Sequence, residues 1–300
     1  MLTRRTLIAA AACAPFAPRR VWAATSYEAG GMRIDTVSDG YLTLPGNFIL
    51  GHMPRDELLP ILERYGQSAD QLTPPCNVTL LRDGTNTVLF DTGAGPDFQA
   101  SAGRLSEALD VLGVSVDDIT HVVFTHAHPD HLWGVLDDFD EPLFVNAQHM
   151  IGRAEFDYWT DPDTVNTIDE TRTTFAVGAA RRLNTLAGQL RLLEDGEDVL
   201  PGVVARLTPG HTPGHMAFEI AASDPVLVLG DSIANHHVAF ERPEWLSGND
   251  QDMETAAQTR VALLERIVHE KMILIGYHLS DGGMGRAERN ADGYRFVPEI

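Results

Sequence analysis

Three histidines and one aspartate fall within six positions of the segment FTHAHPDHLWG. His126 and His128 are two residues apart, so in an extended chain both side chains point to the same side and can reach one metal ion. Pro129 then bends the chain, and Asp130 and His131 can face the same pocket from another direction. The full H-x-H-x-D-H pattern predicts metal ligation, whereas a lone H-x-H pair in a chain with 12 histidines would indicate little.

Four side chains do not complete two metal sites. A zinc ion takes three or four nitrogen or oxygen ligands, and a catalytic ion keeps one position for water. Three more ionisable residues follow apolar segments that read as strands: His211 after VVARL, Asp231 after PVLVLG and His278 after KMILIGY. Because site residues of sheet-based enzymes commonly lie at strand ends, these three are predicted to supply the missing ligands.

Apolar segments alternate with turn residues along the rest of the chain. MRIDTVSD and NVTLLRDGTNTVLFDTG predict antiparallel strands with a turn at RDGTN, and RLSEALDVLGV predicts a helix. The second half repeats strands followed by a helix, DMETAAQTRVALLERIVHE. This order predicts an α/β protein (α+β in connectivity) in which two mixed sheets pack face to face with helices outside, an αββα sandwich.

The N-terminal segment MLTRRTLIAAAACAPFAPRRVWAA resembles a bacterial twin-arginine export signal. We expect residues 1–24 to be a signal peptide cleaved at Ala23 or Ala24, residues 25–300 to form one domain, and the protein to be periplasmic or secreted. Cys13 would leave with the signal. Cys76 would then have no partner for an intrachain disulfide, and it reads as a small core hydrophobe.

Acidic residues outnumber basic residues by 43 to 22, which gives a formal net charge of −21 at pH 7. Such a charge repels nucleic-acid phosphates and anionic membrane surfaces. The apolar run near the N-terminus is too short to cross a bilayer. We therefore expect no nucleic-acid partner and no membrane span, and the composition leaves a homodimer open.

THAHPDH, TPGHTPGH, GDS and the late GYH together resemble the metallo-β-lactamase fold superfamily of binuclear metallohydrolases. The resemblance covers essentially the whole chain after the signal. VSDGYLTLP, the doubled TPGHTPGH and RAERNADGYRFVP are most similar to an exported methyl parathion hydrolase-like branch that also includes lactonases.

The resemblance implies two divalent metal ions per chain. The implied ligands are His126, His128 and His211 for one ion and Asp130, His131 and His278 for the other, with Asp231 bridging both. A bridging hydroxide would then be the nucleophile, with Asp231 helping to hold it and Asp130 orienting it. Imidazole and carboxylate ligands favour zinc, with iron, manganese or cobalt as alternatives.

The resemblance further implies a small-molecule substrate and metal-dependent hydrolysis of its ester, lactone or phosphotriester bond. Flavodiiron relatives carry Glu where this chain has His128, and zinc β-lactamases lack the bridging carboxylate that Asp231 would provide. Both residues therefore favour a hydrolase of esters over a redox or antibiotic-degrading enzyme. A mononuclear iron dioxygenase acting on sulfur substrates stays an alternative, and a β-lactamase or a non-catalytic binding protein ranks behind it.

Partners for the ligand imidazoles are expected nearby. The candidates are Asp91 in VLFDTG, and Thr208 and His215 on either side of His211. A turn role for Asp91 and a purely structural role for His215 are the competing interpretations.

Several residues could line the substrate pocket. The aromatic candidates are Phe48, Trp159 and Phe240, for which core packing is the competing interpretation. The polar candidates are His236, His237, Ser280 and Asp281, and a polar rim after His278 argues against carrying over the organophosphate preference of the branch. Specificity is expected to depend on segments 46–75 and 150–180. His149 is expected in a helix or at the surface, and its sequence context indicates no functional role.

Overall fold

The computed structural model describes residues 25–291 and 293–298, so the predicted signal peptide with Cys13 lies outside the described residues. The strands of the described part are β1 (Ser26–Ala29), β2 (Met32–Tyr41), β3 (Leu44–Pro45), β4 (Gln71–Leu72), β5 (Pro75–Arg82), β6 (Thr87–Phe90), β7 (His121–Val123), β8 (Gln148–Gly152), β9 (Leu190–Leu193), β10 (Asp198–Leu200), β11 (Val203–Leu207), β12 (Met216–Ile220), β13 (Val226–Val228), β14 (Ile273–Ile275), β15 (Met284–Asn290) and β16 (Gly293–Pro298). The α-helices are α1 (Gly46–Leu50), α2 (Arg55–Arg64), α3 (Leu105–Val111), α4 (Pro129–Leu132), α5 (Arg153–Thr160), α6 (Thr164–Thr167), α7 (Thr173–Leu186), α8 (Val238–Glu241) and α9 (Met253–Glu270).

Two seven-stranded sheets organise these elements. The first has the order β1-β2-β5-β6-β7-β8-β9 and the second runs from β10 to β16 in sequence order. Neighbours from β6 to β9 are parallel, as are β13 and β14, whereas the other pairs in both sheets are antiparallel. The predicted mixed character of both sheets is confirmed.

The inner faces of the two sheets share one core. Along β6, Val88 and Phe90 belong to the cluster between the sheets, while Leu89 points to the opposite side, as the two-residue period of a strand requires. Phe90 meets Phe218 of β12 with ring centroids 5.3 Å apart. The sheets therefore pack face to face.

Helices cover both outer faces. Leu109 of α3 and Leu183 of α7 pack on the first sheet, and Leu264 and Ile267 of α9 pack on the second. The long helix α9 begins where the Asp252 side chain accepts a hydrogen bond from the backbone N–H of Thr255. These layers confirm the predicted αββα sandwich.

One helical covering lies outside the sandwich layers: α1 and α2 and strand β4 share a separate apolar cluster with Val238 of α8. Helices α5 to α7 span 153–186, and Trp159 of α5, like Leu183 of α7, belongs to the cluster on the first sheet. Helices therefore cover half of the expected specificity segment 46–75 and most of 150–180.

Strand β7 ends at Val123, and the residues after it form the histidine-bearing loop. One local expectation was wrong. His149 lies on β8 and is 1% exposed, so it is neither helical nor exposed. Among the described helices, none is long and apolar enough to cross a membrane.

Candidate metal centre

The predicted ligands lie in loops that follow strands or in the short helix α4. His126 and His128 follow β7, and His128 is the residue before α4, with Pro129 at the first helical position, where a proline needs no N–H partner. Asp130 and His131 lie within α4. The remaining three follow other strands: His211 after β11, Asp231 after β13 and His278 after β14.

His126, His128 and His211 form the first cluster. One ring nitrogen of each lies within 4.8 Å of the others, and His128 Nδ1 is 2.9 Å from His211 Nε2. Burial lowers the pKa of His126 and His128 well below the ordinary imidazole value, and neighbouring imidazoles add to the effect. These two rings are therefore neutral and keep lone pairs that can bind a metal ion.

A second cluster adjoins the first. Asp130 Oδ2 lies 3.4 Å from His131 Nε2 and 3.2 Å from His278 Nε2. Asp231 Oδ1 lies 3.3 Å from His131 Nε2, and its Oδ2 lies 3.3 Å from His278 Nε2 and 3.4 Å from His211 Nε2. Asp231 thus reaches residues of both implied ligand sets, as a bridging ligand must.

Charge in the second cluster is strongly coupled. Burial alone would raise the pKa of the two carboxyl groups, but the imidazoles of His131 and His278 outweigh burial and hold the pKa of Asp130 and Asp231 well below the ordinary value. Conversely, burial would lower the pKa of both imidazoles, and the carboxylates raise it well above the ordinary value. Two buried anions therefore require positive charge beside them.

Several buried atoms of these residues have no hydrogen-bonding partner: His126 Nε2, His128 Nε2, His131 Nε2, Asp130 Oδ2 and Asp231 Oδ1. A buried polar atom without a partner is costly and uncommon in folded proteins. Nitrogen and carboxylate oxygen are the atoms that zinc and similar divalent ions accept. This donor set therefore fits divalent metal ions.

Asp91 supports the second cluster in the predicted way. Its carboxylate lies 2.8 Å from His131 Nδ1 and accepts hydrogen bonds from the backbone N–H and the hydroxyl of Thr125 at 2.7 and 2.8 Å. Its φ of 69° is in the left-handed region, so the turn role also holds. The two interpretations of Asp91 are compatible.

Thr208 and His215 were expected to hold a ligand imidazole, but His215 contacts the backbone of Asp231 instead. His215 Nε2 accepts a hydrogen bond from the backbone N–H of Asp231 at 3.0 Å, and its Nδ1 lies 2.8 Å from Thr208 Oγ1. Burial lowers the pKa of His215 well below the ordinary value, which keeps it neutral and able to accept. The pair therefore positions Asp231 and does not hold a ligand imidazole.

Sequence reasoning missed other neighbours of the ligands. Asp250 Oδ1 lies 3.0 Å from His211 Nδ1, and the carbonyl of Pro75 lies 2.7 Å from His278 Nδ1. Cys76 Sγ groups within 4.8 Å of ligand atoms of Asp130 and His278. Burial raises the pKa of the Cys76 thiol to about 12, which keeps it protonated and agrees with its predicted role as a core residue.

A sequence profile described as the Metallo-beta-lactamase superfamily matches residues 73–278. The chain belongs to the metallo-β-lactamase superfamily. The fold of this superfamily is dimetal-dependent, in keeping with the two adjoining His/Asp clusters.

Three known proteins are similar to this chain. An N-acyl homoserine lactonase of a Bacillus species is 26% identical over 177 residues, which are 58% of this chain and 62% of the lactonase, so the chain spans less than two thirds of that enzyme. Two solved structures each superpose with a TM-score of 0.85 at 24% identity, over 92% of this chain and 97% of theirs: the hydrolase AbOPH, and AidC, a dizinc quorum-quenching lactonase with a bound product. At this identity the two structures show a common fold.

In this metallo-β-lactamase domain a cavity of about 230 Å³ opens onto the second cluster. Its apolar walls include Leu42, Leu44, Phe48, Leu72, Phe98 and Phe175, and its polar lining includes His128, Asp130, Asp231, His236, His237 and Ser280. No lysine or arginine is among the described residues that line it. The cavity is therefore largely apolar, with its carboxylates and imidazoles on the side of the clusters and the rim.

The predicted pocket residues divide into two groups. Phe48, His236, His237 and Ser280 line the cavity, but Asp281 does not. Trp159 and Phe240 are buried in the core instead, at 1% and 0% exposure. Their packing was the competing interpretation, and the apolar sequence context of each did not reveal on which side of the backbone the ring lies.

Proposed function

We propose that the protein is a binuclear metal-dependent hydrolase that cleaves uncharged esters, lactones or phosphotriesters. The observation that carries the proposal is the meeting of two ligand clusters at Asp231, beside an apolar cavity. Zinc is the proposed ion, because the ligand atoms are imidazole nitrogens and carboxylate oxygens and the structural neighbour AidC is a dizinc enzyme.

The chemistry of such a site is a hydroxide nucleophile at neutral pH, since two adjacent divalent ions lower the pKa of a shared water toward 7. Asp130 lines the cavity beside His278, with its Oδ2 3.2 Å from His278 Nε2, so its carboxylate can orient the attacking water. Asp231 spans the two clusters and is fixed by His215. The apolar walls exclude water from the reacting bond.

The charged residues of the cavity lining narrow the class of substrate that we propose. Asp130 and Asp231 contribute negative charge to the cavity, and its described lining offers no lysine or arginine to bind an anionic group. Apart from the metal ions that the clusters would hold, a substrate that carries a carboxylate or a phosphate monoanion would find no lysine or arginine in this lining to bind it. An uncharged lactone, aryl ester or phosphotriester with an apolar side is favoured over a β-lactam, which carries a carboxylate.

The test is an activity panel on protein with quantified metal content. The panel contains acyl-homoserine lactones, simple lactones, aryl esters, paraoxon-type triesters and β-lactams, each also measured with His128→Ala. We expect about two ions per chain, chelator-sensitive turnover of at least one uncharged class, and loss of that turnover in the variant.

Other outcomes would overturn the proposal. Iron as the bound metal together with oxygen consumption would indicate the dioxygenase alternative. Tight metal binding without turnover across the panel would indicate a binding protein. Full activity of His128→Ala would contradict the assigned metal cluster.

A further inference from the structure

Glu155 is a fully buried carboxylate that the proposed mechanism does not use. It is the third residue of α5 and accepts four hydrogen bonds. Oε1 accepts from the backbone N–H of Ala127 at 2.9 Å and from Trp159 Nε1–H at 2.6 Å. Oε2 accepts from the hydroxyl of Thr212 at 2.7 Å and from the backbone N–H of Gly214 at 3.0 Å.

All four donors of Glu155 are uncharged, and no arginine, lysine or histidine of the described chain forms an ion pair with it. Burying a carboxylate without a cation is expensive unless hydrogen bonds compensate for the lost water. Four donors converging on two oxygens provide that compensation. Such an arrangement indicates that Glu155 holds the segments that carry these donors in a fixed geometry.

The positions of the donors show which loops Glu155 holds. Ala127 lies between His126 and His128, and Thr212 directly follows His211. One carboxylate therefore joins the two loops that carry the three imidazoles of the first cluster. Glu155 touches none of the three rings, so it acts on them only through the backbone of these loops.

The backbone of the His211 loop is also in direct contact with helices. A Cβ atom at Gly214 would lie 2.0 Å from the backbone nitrogen of Glu155, and one at Gly210 would lie 2.2 Å from that of Ala256 in the first turn of α9. Only glycine permits both approaches. The two glycines of TPGHTPGH thus allow this loop to be held between α5 and α9, with Glu155 as the polar link on the α5 side.

We propose that Glu155 is a positioning residue that sets the spacing of His126, His128 and His211 and thereby the metal affinity of that cluster. The inference rests on the ligand assignment of the proposed function. It extends that assignment, because it predicts that a residue without contact to any ligand ring controls one of the two ions and leaves the other largely unaffected.

Glu155→Gln is the sharpest substitution, because glutamine keeps the shape and replaces one acceptor oxygen by an NH2 group. If the NH2 faces Ala127 and Trp159, it opposes two N–H donors. If it faces the other pair, it opposes only the Gly214 N–H, since the Thr212 hydroxyl can rotate to accept. The second orientation is favoured, so the His211 loop is the one that loosens.

Zinc binding is measured by elemental analysis of the full-length protein after dialysis against graded chelator, and the cobalt-loaded protein is followed by its visible absorption. We expect Glu155→Gln to release one ion at about 10- to 100-fold lower chelator activity than the parent, with an altered cobalt spectrum, while the second ion changes little. Thr212→Val removes one of the four bonds and should shift release of the same ion in the same direction, by less. If Glu155→Gln does not fold, the release of this ion from Thr212→Val tests the inference in its place.

Trp159→Phe is the matched control, because it removes one donor to Glu155, leaves both loop hydrogen bonds in place, and keeps an aromatic ring beside His128, whose ring centroid lies 5.8 Å from that of Trp159. We expect it to retain the parent's affinity for both ions. Parent-like binding of both ions by Glu155→Gln and Thr212→Val would overturn the inference, as would equal loss of the same ion in Trp159→Phe. If the parent itself bound fewer than two ions, the proposed function would fail instead, and the two failures are thereby distinguished.

Discussion

The Nδ1 atom of His128 lies 2.9 Å from the Nε2 atom of His211, although 83 positions separate the two residues. The other nitrogen of His211 faces Asp250 Oδ1 at 3.0 Å, so its proton lies there and its Nε2 presents a lone pair to His128. A neutral His128 can carry its N–H on Nδ1 and donate it to this lone pair. Folding thus brings one nitrogen of each ring to the same place, where a metal ion could accept both lone pairs once the Nδ1 proton has left.

Chelation should lower thermal stability as well as activity. A ligand that binds only the folded state stabilises it by about 4 kcal/mol at a thousand times its dissociation constant, and both clusters are assembled only by folding. We expect a chelator to reduce the unfolding temperature by several degrees and added zinc to restore both properties. His269→Ala, on the exposed side of α9, should respond like the parent. An unfolding temperature that ignores chelator and zinc would argue against the metal centre.

Removing the partner of His211 should weaken metal binding without removing a ligand. Asp250→Ala leaves His211 Nδ1 without its acceptor, and losses of this kind typically cost 10- to 100-fold in metal affinity or activity. Asp250→Asn keeps an acceptor oxygen and should lose less. The measurements are zinc affinity by chelator competition and kcat/KM on the best substrate of the panel. Equal values for Asp250→Ala and the parent would contradict this role.

The ligands could be predicted from the sequence because their pattern is local or falls at strand ends. His126, His128, Asp130 and His131 occupy adjacent positions, and His211, Asp231 and His278 each follow an apolar run. The sandwich was predictable from the order of elements, since strands followed by a helix recur in both halves, and a continuous apolar strand such as β6 fits a sheet that is buried on both faces.

The supporting residues could not be predicted in this way. Asp250 and Glu155 stand in polar stretches, and their roles depend on the docking of distant loops, which no local spacing encodes. His149 was misread because a five-residue strand with a polar residue inside it has no clear period. Trp159 and Phe240 show the same limit. Their sequence context indicates that both rings are buried, but not whether they face the core or the substrate cavity.

His237 should affect substrate binding more than turnover. It lines the cavity at 3% exposure, its Nδ1 has no hydrogen-bonding partner, and burial lowers its pKa to about 3, so it stays neutral at physiological pH. The enclosed Nδ1 has no acceptor to which an N–H could donate. The N–H is therefore favoured on Nε2, where it can donate a hydrogen bond to a polar group of the substrate.

Loss of one neutral hydrogen bond corresponds to about a 2- to 10-fold effect. We expect His237→Leu to raise KM by that factor for an acyl-homoserine lactone, which carries an amide, and to leave KM for a simple alkyl lactone and both kcat values nearly unchanged. Steady-state kinetics on the two substrates provide the measurement, with His269→Ala as the control. An equal rise of KM for both lactones would show that only packing was lost.

His149 should make the fold sensitive to mild acid. It is buried on β8, no side chain hydrogen-bonds to either ring nitrogen, and burial lowers its pKa to about 4 against a smaller opposing effect of the Ala147 backbone. The unfolded chain takes up this proton near pH 6.5, so between pH 6.5 and 4 it binds more protons than the folded chain. The free energy of unfolding therefore falls as the pH falls through this window, by about 3 kcal/mol over its whole width.

His149→Met replaces the imidazole by an apolar side chain and should remove this contribution. We expect the variant to match or exceed the parent at pH 7.5, because an unsatisfied buried polar group is lost, and to gain roughly 2 kcal/mol relative to the parent on going to pH 5. Urea unfolding with excess chelator at both pH values isolates the effect from metal binding. His269→Gln, an exposed histidine change, should show no such gain. If the difference between His149→Met and the parent were independent of pH, the imidazole would not be the titrating group, since every other ionisable residue is common to both chains.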